Sequence, residues 1–290
     1  MSYKYLFMRF PEGKFKAVTF SYDDGVRQDE RLIEVFDKYG MKATFNINSG
    51  IMGSDDNRGR WTPEELREKI IDRGHEVATH GAFHRAPGRQ RAIDVIRDTL
   101  DCRLGLEKMT GCIIRGMAYP DSGIHSFSHN GADYEKIREL LQDLGIAYAR
   151  TLAGDNDDFE IPRDFYAWTP SAHHNNKQIF EYIDKFLAAS EQTYYFSSGM
   201  PRLFYVWGHS YEFDRDGNWD RIEEICSKLG GKCDTWYATN IEICDYVKAF
   251  DSLIFSADGS RVYNPTLKTV WFAADRRPYS VEPGQTIEIK

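Results

Sequence analysis

Strand-like and helix-like segments alternate along this chain from residue 16 to about residue 250, and that alternation constrains the fold more than any other feature. Residues 16–20 form a short apolar strand that runs into Ser21, Tyr22, Asp23, Asp24 and Gly25. Residues 31–39 follow with helical spacing, placing Leu32, Val35, Phe36 and Tyr39 on one face, and Gly40 closes the helix. Residues 42–48 and 75–79 read as the next two strands. Between them Thr62 caps a helix over 63–71 with Pro63 at its first position. Helices are expected over 89–109, 134–144, 178–190 and 219–229, with strands over 113–117, 146–150 and 203–207. Trp236 and Tyr237 begin a further element. Such a pattern predicts a parallel sheet, open or closed into a barrel. After residue 250 the texture changes to short strands over 252–257, 268–273 and 286–289. The chain therefore divides into an α/β unit over 1–250 and a small β-rich extension over 251–290.

Bulk properties narrow the function classes. A formal net charge of −8 gives no basic groove, so nucleic acid is not an expected partner. No run of about 18 apolar residues exists, so no membrane span is expected. The first ten residues lack an apolar signal core, and the five cysteines include no close pair of the kind that binds zinc or shuttles electrons. Both features fit reduced thiols in a cytoplasmic protein. Aromatic residues are 14% of the chain, a surplus that suits a concave site for sugar rings as well as core packing.

Three pieces of chemistry fall where expected strands end: Asp23 with Asp24, His80 with His84, and His209. Sites in α/β sheets form outside the carboxyl ends of the strands. His80 and His84 are four residues apart, close enough to chelate one ion together. One carboxylate and two imidazoles leave positions on a divalent ion open for water and substrate. Successive side chains leaving a strand point in different directions, so one of the two aspartates can bind the ion while the other faces its water.

Residues 19–25 (Thr-Phe-Ser-Tyr-Asp-Asp-Gly) and 74–84 (Gly-His-Glu-Val-Ala-Thr-His-Gly-Ala-Phe-His) resemble the polysaccharide deacetylase family, the NodB-homology group of carbohydrate esterase family four. The resemblance extends over about 14–250. It implies a distorted (β/α) barrel with fewer strands than a TIM barrel. It further implies Asp23 as general base, Asp24, His80 and His84 as metal ligands, and usually zinc, with cobalt, manganese or nickel as substitutes. Val206, Trp207, Gly208 and His209 resemble the family's late motif, in which the histidine is the general acid, with Glu212 a candidate to orient it. The Tyr119 N–H would stabilise the oxyanion. Trp168 would pack near the acetyl methyl, with Tyr22 and Trp207 as further substrate contacts. The implied reaction removes acetyl groups from N-acetylated amino sugars or short oligosaccharides, in a protein that can oligomerise.

Two departures from the family pattern stand out. The family's third motif carries an arginine that pairs with the base, but aligning on Pro120 puts Ala118 at that position. Arg115 is the nearest replacement in sequence and Arg163 a second. Gly81 stands where the family has Ser or Thr. Alternative readings are another bond on the same scaffold, a cyclic amide or an acetyl ester, and a sugar-binding protein whose site has decayed. His173 and His174 form a second histidine cluster, read as an exposed loop pair with capacity for substrate or metal.

Overall fold

A computed structural model of the chain describes residues 4–53, 59–121, 123–125, 131–152, 154–191 and 199–290. Its elements run β1 (Leu6–Arg9), β2 (Lys16–Asp23), α1 (Asp29–Tyr39), β3 (Ala43–Ile47), β4 (Glu76–Thr79), α2 (Ala92–Thr110), β5 (Gly116–Ala118), α3 (Tyr134–Asp143) and β6 (Tyr148–Arg150). They continue with β7 (Ala172–His173), α4 (Ile179–Ala188), β8 (Arg202–Gly208), α5 (Tyr211–Asp216), α6 (Trp219–Leu229), β9 (Thr235–Tyr237) and α7 (Asn240–Asp251). The C-terminal strands are β10 (Ile254–Phe255), β11 (Arg261–Tyr263), β12 (Val270–Ala274), β13 (Arg277–Val281) and β14 (Thr286–Glu288).

A curled parallel sheet in the order β6-β5-β4-β3-β2-β8-β7 forms the centre, with β9 added to β2. β2 is buried along its whole length and is saturated on both edges. β8 pairs with Lys16 to Tyr22 on one edge. On the other, β9 takes Lys16 to Val18 and β3 takes Phe20 to Asp23. A single stretch of chain brings the sheet ends together, since Trp168 bridges to Arg150 and β7 pairs with β8. This is the expected distorted (β/α) barrel.

The period of two along each strand sorts side chains into an outer and an inner layer. On β2, Val18, Phe20 and Tyr22 point outward and pack with Phe36 of α1 and Ile222 of α6. The alternate residues Thr19, Ser21 and Asp23 point inward and find polar partners. β8 repeats the scheme, with Phe204 and Val206 outward and Leu203 and Tyr205 inward. Ile243, Tyr246 and Val247 of α7 join the inner cluster.

Around the barrel, β10, β11 and β14 form one antiparallel sheet and β12 and β13 another. The latter recruits β1, so Leu6–Arg9 from the start of the chain completes the C-terminal sheet. β1, β7, β11 and β13 carry no strong sequence signal. β7 has only two residues, and β13 shows mostly exposed polar positions. The helix expected over 63–71 is a π-helix over Arg67–Ile71, with the Asp72 N–H reaching back to the Arg67 carbonyl.

Candidate active site

Asp24, His80 and His84 converge. The Asp24 carboxylate lies 3.4 Å from His84 Nε2 and 3.8 Å from His80 Nε2. Each offers a ligand atom, and these atoms lie within 4.8 Å of one another. Asp24 reaches this place because the chain turns sharply as it leaves β2: Asp24 and Gly25 take left-handed φ of 79° and 63°. Aspartate tolerates that region better than most residues. A side chain at Gly25 would meet Ile47 at 2.8 Å.

His80 stands directly after β4. Its Nδ1 lies 2.8 Å from the Ala118 carbonyl, a partner that can only accept, so Nδ1 carries the proton and Nε2 presents a lone pair. Gly81 is explained by space and conformation. Its φ is 70°, and a Cβ there would sit 2.3 Å from Asp98 Oδ2, so the Ser or Thr of the family pattern does not fit. Asp98 also receives the Phe83 N–H, which fixes the turn carrying His84. The donor set, one carboxylate oxygen and two imidazole nitrogens with at least one tautomer preset, fits a divalent ion such as zinc.

Asp23 is buried beside this triangle. Oδ1 accepts a hydrogen bond of 2.8 Å from Asn46, and Oδ2 accepts one from Arg150. Burial alone would push the carboxyl up. The Arg150 guanidinium, helped by His80, His209 and Asn46, outweighs it and holds Asp23 below its ordinary value. Arg150 is itself fully buried, with the Trp207 ring 4.6 Å from its guanidinium carbon.

His209 follows β8. Its Nε2 lies 4.0 Å from Asp23 Oδ2 and its Nδ1 3.6 Å from Glu212 Oε1. Burial favours the neutral ring, but Glu212, Asp23 and Asp24 overcome it and raise the imidazole above its ordinary value. Glu212 also faces His173 and His174, which are not an exposed loop pair: His174 is fully buried and His173 mostly so.

Several sequence expectations need correction. Arg115 does not support Asp23. It precedes β5, at the opposite rim of the barrel, and forms a bidentate pair with Asp245 of α7 at 2.9 and 3.0 Å. Arg163 is exposed and lines a separate hollow. The arginine on Asp23 is Arg150, missed because it lies outside every quoted motif. The available signal was a charged residue at the carboxyl end of an otherwise apolar expected strand, 146–150. The Tyr119 N–H is not free for an oxyanion, since it donates to the Arg150 carbonyl at 3.0 Å. Tyr22 points outward from β2 and is enclosed by Phe36, His174 and Phe213, so it cannot touch a substrate. Trp168 is 1% exposed and packed among Tyr148, Phe165 and Tyr205, which makes it a core residue. Trp207 is half-buried beside His173 and His209 and does line the site.

Residues 11–149 match the family model described as polysaccharide deacetylase. Among solved structures, the fold is similar to a Mycobacterium smegmatis protein described as a candidate polysaccharide deacetylase. The two share 18% identity and a TM-score of 0.56, over 83% of this chain and 93% of that one. Weaker likenesses include a family 4 acetyl xylan esterase from Clostridium thermocellum in complex with a cobalt ion, with 16% identity and a TM-score of 0.46 over 78% of this chain and 89% of that one. Another is a CE4 family pseudoenzyme from Bacillus anthracis, with 15% identity and a TM-score of 0.45 over 82% of this chain and 68% of that one. No curated protein matches the chain. Among the described residues, no helix is long and apolar enough to cross a membrane.

Proposed function

We propose, from the match of residues 11–149 to the polysaccharide deacetylase family model, that this chain is a metal-dependent hydrolase that removes acetyl groups from N-acetylated amino sugars or short oligosaccharides. The observation that carries the reading is the meeting of two aspartates and three histidines at the carboxyl ends of β2, β4 and β8. A protein that only bound sugar would have no use for this set of groups.

Asp24, His80 and His84 would hold the ion, with zinc the first candidate. A divalent ion there supplies Lewis-acid activation of water and of the acetyl carbonyl. Asp23, kept ionised by Arg150, takes a proton from the attacking water. His209 gives a proton from Nε2 to the departing nitrogen. Trp207 offers an aromatic wall against which a sugar ring can lie. No covalent intermediate is required.

The test is acetate release by zinc-loaded protein from N-acetylglucosamine oligomers, measured beside acetyl xylan and allantoin. Release from the amino sugar that disappears in Asp23→Asn, while zinc stays bound, supports the reading. Turnover confined to either of the other substrates would move the assignment to an ester or a cyclic amide. No turnover of any of them, with zinc bound, would favour a decayed binding site.

A further inference from the structure

Glu212, on the first turn of α5, is the meeting point of three imidazoles. Oε1 lies 3.6 Å from His209 Nδ1, while Oε2 lies 3.0 Å from His173 Nε2 and 3.2 Å from His174 Nε2. His173, His174 and Glu212 have the spacing of a second metal site, but the tautomer of His173 argues for a direct approach of its ring N–H to the carboxylate instead. His173 Nδ1 accepts the Asn175 N–H at 3.1 Å. That leaves the ring proton on Nε2, the atom facing Glu212, where a cation would need a lone pair. The two histidines also differ in kind. His174 is sealed between Tyr22 and Phe213, and burial pushes it down to about 4, so it is a neutral packing group. His173 is the partner with a fixed, outward-reaching donor. Its ring is braced edge-on by Trp207 at 4.6 Å, and its backbone is held in register with the same residue on β8.

Glu212 needs such a partner. Its side chain has three rotatable bonds, and the exposed Arg215 lies 3.7 Å from Oε1, the oxygen that faces His209. Without the His173 ring at Oε2, the carboxylate could rotate toward Arg215 and turn Oε1 away from His209 Nδ1.

We propose that His173 is a positioning residue for the reaction: by holding Glu212 Oε2 it keeps Oε1 turned to His209, which in turn keeps His209 Nε2 directed toward Asp23. The inference rests on His209 being the acid of the proposed reaction. His173 itself need not touch the substrate.

The test compares His173→Phe, which keeps a ring against Trp207 but removes the donor, with His173→Gln, whose amide can still donate to Glu212. The expected result for the Phe variant is a fall in kcat of about tenfold with KM within about twofold, a loss of the size one misaligned acid–base group gives. The Gln variant should recover most of it. Zinc content should stay at the wild-type value in both. Nitrogen-15 spectra of the histidine rings provide a readout independent of turnover. The His209 Nδ1 signal should move in the same direction in His173→Phe and in Glu212→Gln, and remain near wild type in His173→Gln. An unmoved His209 signal in His173→Phe overturns the proposal, as does a raised KM with unchanged kcat or a loss of zinc. If the wild-type protein releases no acetate at all, the proposed function fails, while the ring spectra still decide whether His173 positions His209.

Discussion

Ala118 on β5 and Arg150 on β6 are register partners in adjacent parallel strands. The Arg150 side chain points into the barrel and reaches the Asp23 carboxylate. The position where the family pattern has its arginine is therefore occupied by alanine, and the neighbouring strand delivers a guanidinium to Asp23 instead. Trp207, across the barrel on β8, covers the guanidinium face. The departure from the family motif is a relocation of one charge by one strand.

Removing that charge leaves Asp23 buried with only the Asn46 amide and nearby imidazoles to oppose its desolvation. Arg150→Ala should lower kcat by roughly 10²-fold or more, with zinc still bound. Ala118→Arg in the Arg150→Ala background should restore part of the loss, since both positions share one inward face. Steady-state kinetics on the three proteins decide this, and an unaffected kcat in Arg150→Ala would remove Arg150 from the machinery.

Metal content separates the two histidine clusters. Purified protein loaded with zinc and desalted should hold one ion per chain by atomic emission. Asp24→Asn, His80→Ala and His84→Ala should each lose it, and Asp23→Asn and His173→Phe should keep it. Chelation should abolish acetate release, and added zinc should restore it. A stoichiometry of two would reopen His173, His174 and Glu212 as a cation site.

The pH profile follows from the two opposed shifts. Asp23 must be ionised, and it sits below its ordinary 3.8, so activity at saturating zinc should fall only when pH drops through that lowered value. His209 must carry its proton, and it sits above its ordinary 6.5, so activity should fall as pH rises through that raised value. The expected kcat/KM profile is a plateau through mildly acidic and neutral pH. Glu212→Gln withdraws the leading support of the raised imidazole and should move the alkaline limb to lower pH. An alkaline limb unchanged in Glu212→Gln would count against His209 as the acid.

Asp29, on the first turn of α1, is fully buried, and burial pushes its carboxyl up to about 7 despite hydrogen bonds from Ser210, Trp61 and the Val26 N–H. A carboxyl raised from 3.8 in the unfolded chain to about 7 in the folded one contributes no penalty below pH 4. Stability is then lost as pH climbs from about 4 to about 7, by up to roughly 4 kcal/mol at most. Asp29→Asn keeps the shape and the oxygen facing Val26 and Trp61, and Ser210 can reverse its hydroxyl. The variant should therefore gain little over wild type in urea unfolding at pH 3.5 and clearly exceed it at pH 8. Equal loss at both values would show that the ionised form is not the costly one.

What could be read from sequence here was whatever is carried by a few neighbouring residues. The alternation of 2.0- and 3.6-residue periods gave the barrel. The Asp23–Asp24 pair, the His80–His84 spacing and His209 each sit within one strand end and the turn that follows it, so local pattern locates them. Tyr22 and Trp207 were read alike as substrate contacts because both neighbour motif residues. Only the facing of each strand separates them, since Tyr22 turns outward into the helical layer and Trp207 inward.

Arg150 and the His173 tautomer lay beyond that reach for a different physical reason. A salt bridge between Asp23 and Arg150 joins residues separated by 127 positions, and nothing in either segment specifies the other. Arg115 was nearer to the motif in sequence, but three residues along a strand carry a side chain about 10 Å from the rim where the chemistry gathers. Local side-chain chemistry and periodicity follow from the order of residues. Which charges end up sharing a buried space is fixed only when the strands take their register and the sheet curls.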